Sequence, residues 1–147
     1  MDFSMAEILH DFFIQASMKD VFEGMATPDG MDVWWTKKSS GTPGLGNEYI
    51  LDFGPGYEWR AVVTACVMNR ALEWQIKCND PDWQDTFVGF ALEEKDKGTW
   101  VRFYHRSWPE ANLHFRTSSF CWAMYLRLLK LNIEKGLFVA YEKRLDV

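Results

Sequence analysis

"SFCWAMYLRLLKLNIEKG", residues 119–136, decides the fold. At 100° per residue, Phe115, Trp122, Leu126, Leu129 and Ile133 share one narrow stripe of a helix. The pattern starts that helix at Pro109, carries it to about Lys135 and closes it with Gly136. The stripe is expected to face a sheet. Leu113, Phe120, Met124 and Leu131 lie almost opposite it, and Cys121, Tyr125 and Leu128 fill the arc between. Only the side holding Arg116, Arg127, Lys130 and Glu134 is polar. An apolar arc wider than the roughly 100° of one packing face needs a curved sheet wrapping the helix, or a second copy covering its far side.

Upstream, the period is two. Val101, Phe103 and His105 share one face of a last strand, with Arg102, Tyr104 and Arg106 on the other. Before it come Val88, Phe90 and Leu92, then Leu72, Trp74 and Ile76 opposite Glu73 and Gln75. Trp59, Ala61 and Val63 alternate with Glu58, Arg60 and Thr64, and Glu48–Phe53 alternates as well. Turn signals separate these runs, which predicts an antiparallel meander with one buried face. Residues 37–47, KKSSGTPGLGN, read as a loop. A first strand over Ile8–Ala16 leads to Ser17, an N-cap with Asp20 completing a capping box. A short helix then ends near Ala26, and Thr27-Pro28-Asp29 opens a second. That second helix carries Trp34 and Trp35. The sum is α+β, with about six strands and a long C-terminal helix.

The 147 residues have ordinary globular proportions, 48% hydrophobic and 25% charged, but eight tryptophans demand an explanation from the fold or a site. A net charge of −5, with no basic run, argues against nucleic acid. Cys66, Cys78 and Cys121 lack metal-ligand spacing and read as reduced thiols, hence a cytoplasmic setting. The stretch from Met1 to Ser17 has no leader pattern, and no apolar run is long enough to span a membrane.

Familiar catalytic patterns fail. Ser118, Ser119 and Cys121 sit within a helix without a strand-to-helix elbow. Gly41–Gly46 lacks the lysine and the following helix of a phosphate loop. Glu110 and His114 stand four apart at the start of the long helix, where capping explains them better than a metal does. Arg60, beside Glu58, reads as solvated outer-face charge, or as a carboxylate anchor if that face curls inward. Neither metal nor cofactor is expected.

Four stretches carry a resemblance: "FFIQASMKDVFEGMATPDGMDVWWT", "GTPGLGNEYILDF", "TWVRFYHRSW" and "SFCWAMYLRLLKLNIEKG". In this order they resemble the SRPBCC (START-like, helix-grip) superfamily, and within it the activators of the heat-shock chaperone ATPase. The resemblance implies one START-like domain over residues 1–147, with a bent sheet gripping the C-terminal helix around a cavity. It also implies hydrophobic ligands, polyketide cyclisation or a chaperone contact as the range of roles.

An empty cavity of about 300 Å³ would cost about 7 kcal/mol, comparable with the whole stability of a domain. The rings of Tyr49, Trp59, Trp74, Phe90, Phe103 and Trp122 are therefore expected to fill much of it. What remains is a small pocket for a flat or slender apolar molecule. Leu126, Leu129, Trp34, Trp35 and His105 complete the expected lining, with one of the paired tryptophans in the core and its neighbour on the rim. His105 reads first as a structural histidine and second as a ligand anchor or acid/base. The leading expectation is a non-enzymatic binder of an apolar or aromatic small molecule. A homodimeric or chaperone-linked interaction module is the alternative, and a cyclase-like enzyme using His105 comes after it.

Overall fold

Satisfying orphan amides at helix ends shapes the chain from Ser17 to Trp35. The computed structural model describes residues 5–147, so the first four residues of the stretch read against a leader lie outside it. Strand β1 (Ala6–Ile14) leads to Ser17, whose Oγ accepts from the Asp20 amide at 3.1 Å and caps helix α1 (Met18–Ala26). Thr27 then serves two helices. Its hydroxyl donates to the Glu23 carbonyl at 2.7 Å and accepts from the Gly30 amide at 3.2 Å, closing α1 and opening α2 (Pro28–Trp34). The helices meet so closely at Gly30 that any Cβ there would strike the Glu23 and Gly24 carbonyls. The Trp34 indole donates to the Gly24 carbonyl across the same junction, at 2.9 Å.

The remaining strands are β2 (Lys38–Ser40), β3 (Glu48–Asp52), β4 (Glu58–Val67), β5 (Ala71–Lys77), β6 (Phe87–Lys95) and β7 (Gly98–Trp108). They form one curved antiparallel sheet in the order β1-β7-β6-β5-β4-β3-β2. The expected parity holds: Ala61, Val63, Leu72, Trp74, Ile76, Val88, Phe90, Val101, Phe103 and His105 are all buried on one face. Seven strands are present where about six were expected. The extra one, β2, falls inside the turn-rich stretch read as a loop. The open edge of β3 supplies its partners, and Ser39 Oγ fixes it to Asp32 at 2.8 Å.

Two irregularities bend the sheet. The β4–β5 register slips between Val63 and Ala65. Near the end of β7, Ser107 adopts φ +70°. Strict alternation would turn Trp108 outward; the kink at Ser107 turns it into the core, where it is fully buried. Glu73, read as an outer-face residue, is also buried, accepting from Tyr104, Thr64 and Arg106 at 2.6, 2.7 and 3.0 Å.

Helix α3 (Leu113–Lys135) begins four residues later than expected. Asn112 is its cap, accepting from the Phe115 amide at 2.9 Å, and Pro109-Glu110-Ala111 belong to the connection. Gly136 closes it in the left-handed region at φ +70°. Trp122, Leu126 and Leu129 are buried as the stripe requires. Leu128 is buried as well, and Tyr125 partly so, in the intermediate arc. A 3-10 segment, Tyr141–Asp146, packs back against α2 and α3 on the C-terminal side. Leu113 and Phe120 stay exposed. No described helix is long and apolar enough to cross a membrane.

The α1–α2 junction gives a direct check. Gly30→Ala should lower stability by about 1–3 kcal/mol, because backbone rather than a movable side chain meets the new methyl. A urea denaturation midpoint indistinguishable from that of the parent protein would contradict this packing.

Candidate functional site

Five aromatic rings, each from a different part of the chain, close a circuit. Trp35 ends α2, Phe53 follows β3, Trp59 lies on β4, Trp83 on the β5–β6 connection and Trp122 on α3. Ring centroids are 5.8 Å apart for Trp35–Phe53, 5.5 Å for Phe53–Trp59 and 5.4 Å for Trp59–Trp83. The circuit closes through Trp83–Trp122 at 5.8 Å and Trp122–Trp35 at 5.0 Å. Against this belt opens a cleft of about 340 Å³. Tyr57 and Tyr125 extend its aromatic wall, while Thr117, Ser118 and Cys121 supply one turn of α3. Asp80 and His114 stand at its polar side.

The belt is held from behind. Trp35 occupies the C-cap of α2 at φ −118°, ψ −66°, departing from helical geometry just enough to bring its indole beside that of Trp34. The two rings stack at 6.0 Å, and both reach Trp122. The expectation of an exposed rim tryptophan is corrected: both are buried, at 1% and 2% exposure, although Trp35 alone of the pair borders the cleft. Arg144, in the C-terminal segment, fixes the end of α2. Its guanidinium donates to the carbonyls of Asp32, Thr36 and Val139 at 2.5, 3.1 and 3.2 Å. A cation at a helix C-terminus also complements the helix dipole.

His105 ties two walls together. An indole N–H can only donate, so the 3.1 Å contact from Trp122 Nε1 makes His105 Nδ1 an acceptor. The proton therefore sits on Nε2, which donates to Thr86 Oγ1 at 2.8 Å. Thr86 in turn donates to the Trp83 carbonyl at 2.6 Å. The chain of bonds runs from α3 through β7 to the loop that carries Trp83. Burial, with a smaller contribution from His114, lowers the pKa of His105 to about 3, which keeps the ring neutral. With both nitrogens engaged and no exposed surface, it is a positioning residue behind the cleft rather than a proton donor within it.

At the mouth, Asp80 Oδ1 accepts from the amides of Asp82 and Trp83 at 2.9 and 3.3 Å, a turn that aims the Trp83 ring inward. Asp82 accepts from Asn112 Nδ2 and faces His114 Nδ1 at 3.0 Å. Asp80 Oδ2 lies 3.8 Å from His114 Nε2. Sequence spacing had paired His114 with Glu110. Instead Glu110 is exposed and precedes the helix, and the carboxylates near His114 come from more than thirty residues upstream. Asp80, Asp82 and His114 form a cluster of metal-ligand types. However, the carboxylates flank opposite ring nitrogens, an arrangement that suits a hydrogen-bonded clamp on the imidazole better than chelation by one nitrogen.

Of the residues expected to line a cavity, Trp35, Trp59 and Trp122 border the cleft. Trp34, Tyr49, Trp74, Phe90 and Phe103 are buried behind it, as are His105, Leu126 and Leu129. Arg60 pairs with Glu48 at 2.8 Å on the outer face and is not an anchor. Phe53, Tyr57, Asp80, Trp83, His114 and Tyr125 border the cleft without having been anticipated. A tryptophan in the polar stretch NDPDWQD was the available signal for the loop.

A bent antiparallel sheet gripping a C-terminal helix, with an aromatic cleft between helix and loops, defines a helix-grip protein of the START-like class. The family model described as activator of Hsp90 ATPase homolog 1-like protein matches residues 15–134, and the chain belongs to that family. Among solved structures, the Aha1 dimer from Colwellia psychrerythraea is 32% identical, with a TM-score of 0.81 over 90% of this chain and 98% of that one. CalU16 from Micromonospora echinospora is 17% identical, with a TM-score of 0.72 over 95% of this chain and 83% of that one. DynU16, a putative protein in the dynemicin biosynthetic locus, is 18% identical, with a TM-score of 0.75 over 91% of this chain and 50% of that one. The latter two share the fold. No curated protein matches the chain.

Two measurements check the architecture of the site. Trp35→Ala should cost about 3–5 kcal/mol, the range for emptying a buried aromatic position, as read by urea denaturation. His105 should also make stability depend on pH. Its folded pKa lies below the ordinary value, so the unfolded chain binds the extra proton; stability is full above about pH 6.5 and falls toward pH 3. Between pH 7 and 5 the loss should be about 2 kcal/mol. A flat profile across that window would contradict a buried neutral ring.

Proposed function

We propose that this protein binds a flat or slender aromatic small molecule in the cleft against the five-ring belt. One observation carries the reading: a closed circuit of rings, restrained from behind by hydrogen bonds, borders an opening of about 340 Å³. That size lies at the low end of the range for small-molecule sites. The interior behind it is filled by Tyr49, Trp74, Phe90 and Phe103. This supports a compact ring system over a long lipid. The acid–base groups at the mouth are engaged with one another and with backbone, which favours binding over turnover.

A second reading rests on a separate observation. Leu113 and Phe120, one helical face two turns apart, are 76% and 79% exposed. We infer that this face pairs with a second copy, and the 32% identical Colwellia psychrerythraea protein, solved as a dimer, supports it. The chaperone contact suggested by the family's description would compete for the same surface. Phe120→Glu should turn a dimeric species into a monomer by light scattering, without loss of helix content. A parent protein that is monomeric at all accessible concentrations would contradict the inference.

The binding reading is tested by native mass spectrometry on protein purified without delipidation. A reproducible additional mass, released on denaturation and reduced in a Trp59→Leu variant, is expected. A bare polypeptide mass, together with no change in tryptophan fluorescence across a panel of small aromatics, would remove the proposal.

A further inference from the structure

Resting on the binding reading above, we propose that the cleft selects a cationic aromatic ligand, an aromatic ring carrying a quaternary or protonated amine. Aromatic rings, tryptophan above all, attract cations through their quadrupole. Here Trp35, Trp59, Trp83 and Trp122 all border one opening. The charged groups of that opening point to the same sign. Neither lysine nor arginine is among its described lining residues, whereas Asp80 is.

The mouth stays negative in either state of its histidine. Asp80 and Asp82 are two carboxylates, and His114 between them supplies at most one compensating charge. Lys77, on the adjoining strand, is paired with Asp85 at 2.5 Å. Arg144, beyond Tyr125, directs its donors to three backbone carbonyls. An anionic ligand would need donors facing the cleft. The indole N–H groups of Trp59 and Trp83 lack partners, yet both are sealed from solvent and present nothing to a molecule in the opening. A methylated ammonium group is weakly hydrated and suits such a site, since its desolvation costs less than that of a compact ion.

Phenyltrimethylammonium and tert-butylbenzene have the same shape and differ in charge. Each is titrated into the whole protein and followed by tryptophan fluorescence. The ammonium compound should bind about tenfold more tightly than the neutral one. Asp80→Asn keeps the oxygen that caps the Asp82 and Trp83 amides, so the loop should persist. In this variant the affinity for phenyltrimethylammonium should fall about threefold or more, with that for tert-butylbenzene unchanged. Raising the salt concentration should weaken only the charged ligand. Equal or tighter binding of tert-butylbenzene would overturn the cation preference while leaving a small-molecule site standing. An unchanged ammonium affinity in Asp80→Asn would overturn the role of the carboxylate. Binding of neither compound would overturn both this inference and the binding reading beneath it.

Discussion

The hydrogen bond from the Trp122 indole to His105 is the constraint on which the site depends. An indole has one donor and no acceptor, so this bond sets the tautomer of a buried imidazole and with it the direction of every later bond toward the loop. The helix cannot turn without breaking it, and β7 cannot slip by one residue without moving His105 to the outer face. Trp122 also touches Trp35, Trp83 and Phe103. The last strand, the long helix, the end of α2 and the Asp80 loop are therefore registered against one side chain. Polar specificity of this kind inside an aromatic core explains how loosely connected segments can hold a defined opening.

That opening is the residue of a compromise. A helix gripped by a curved sheet leaves a hollow, and an empty hollow is costly. This chain fills its depth with Tyr49, Trp74, Phe90 and Phe103 and leaves the aromatic cleft open toward the Asp80 loop. Large rings suit the task because each covers much area while restricting few torsions. The C-terminal segment contributes from outside. Arg144 holds the end of α2 from this segment, which packs against both α2 and α3.

Much of this was legible in the sequence where a single period governs. Alternation placed Val101, Phe103 and His105 inside, and the caps at Ser17, Thr27 and Gly136 fall where side-chain chemistry requires them. Legibility failed where structure depends on distant partners. Strand β2 forms because β3 has a free edge, which no local signal in KKSSG announces. Trp108 is turned inward by a kink at Ser107 that parity does not foresee. Trp34 and Trp35 point about 100° apart on an ideal helix, but Trp35 sits at a helix end and escapes that geometry. The cleft itself was half visible. Trp59 and Trp122 were identified from ring volume and Trp35 from its place on the second short helix, whereas Trp83, Asp80 and the Asp82–His114 contact depend on how one loop folds over the helix N-terminus.

Indole N–H resonances offer the most direct test, because the eight tryptophans are distributed over the belt, the deep core and the outer face of the sheet. Protein labelled with nitrogen-15 is titrated with unlabelled indole, a flat aromatic of suitable size, and the Nε1 cross-peaks are assigned and followed. The belt predicts saturable shifts at Trp35, Trp59, Trp83 and Trp122, with little change at Trp100, which sits beneath Lys95 away from the cleft. Shifts led by Trp100, or an unchanged spectrum at millimolar indole, would contradict a binding cleft at this place.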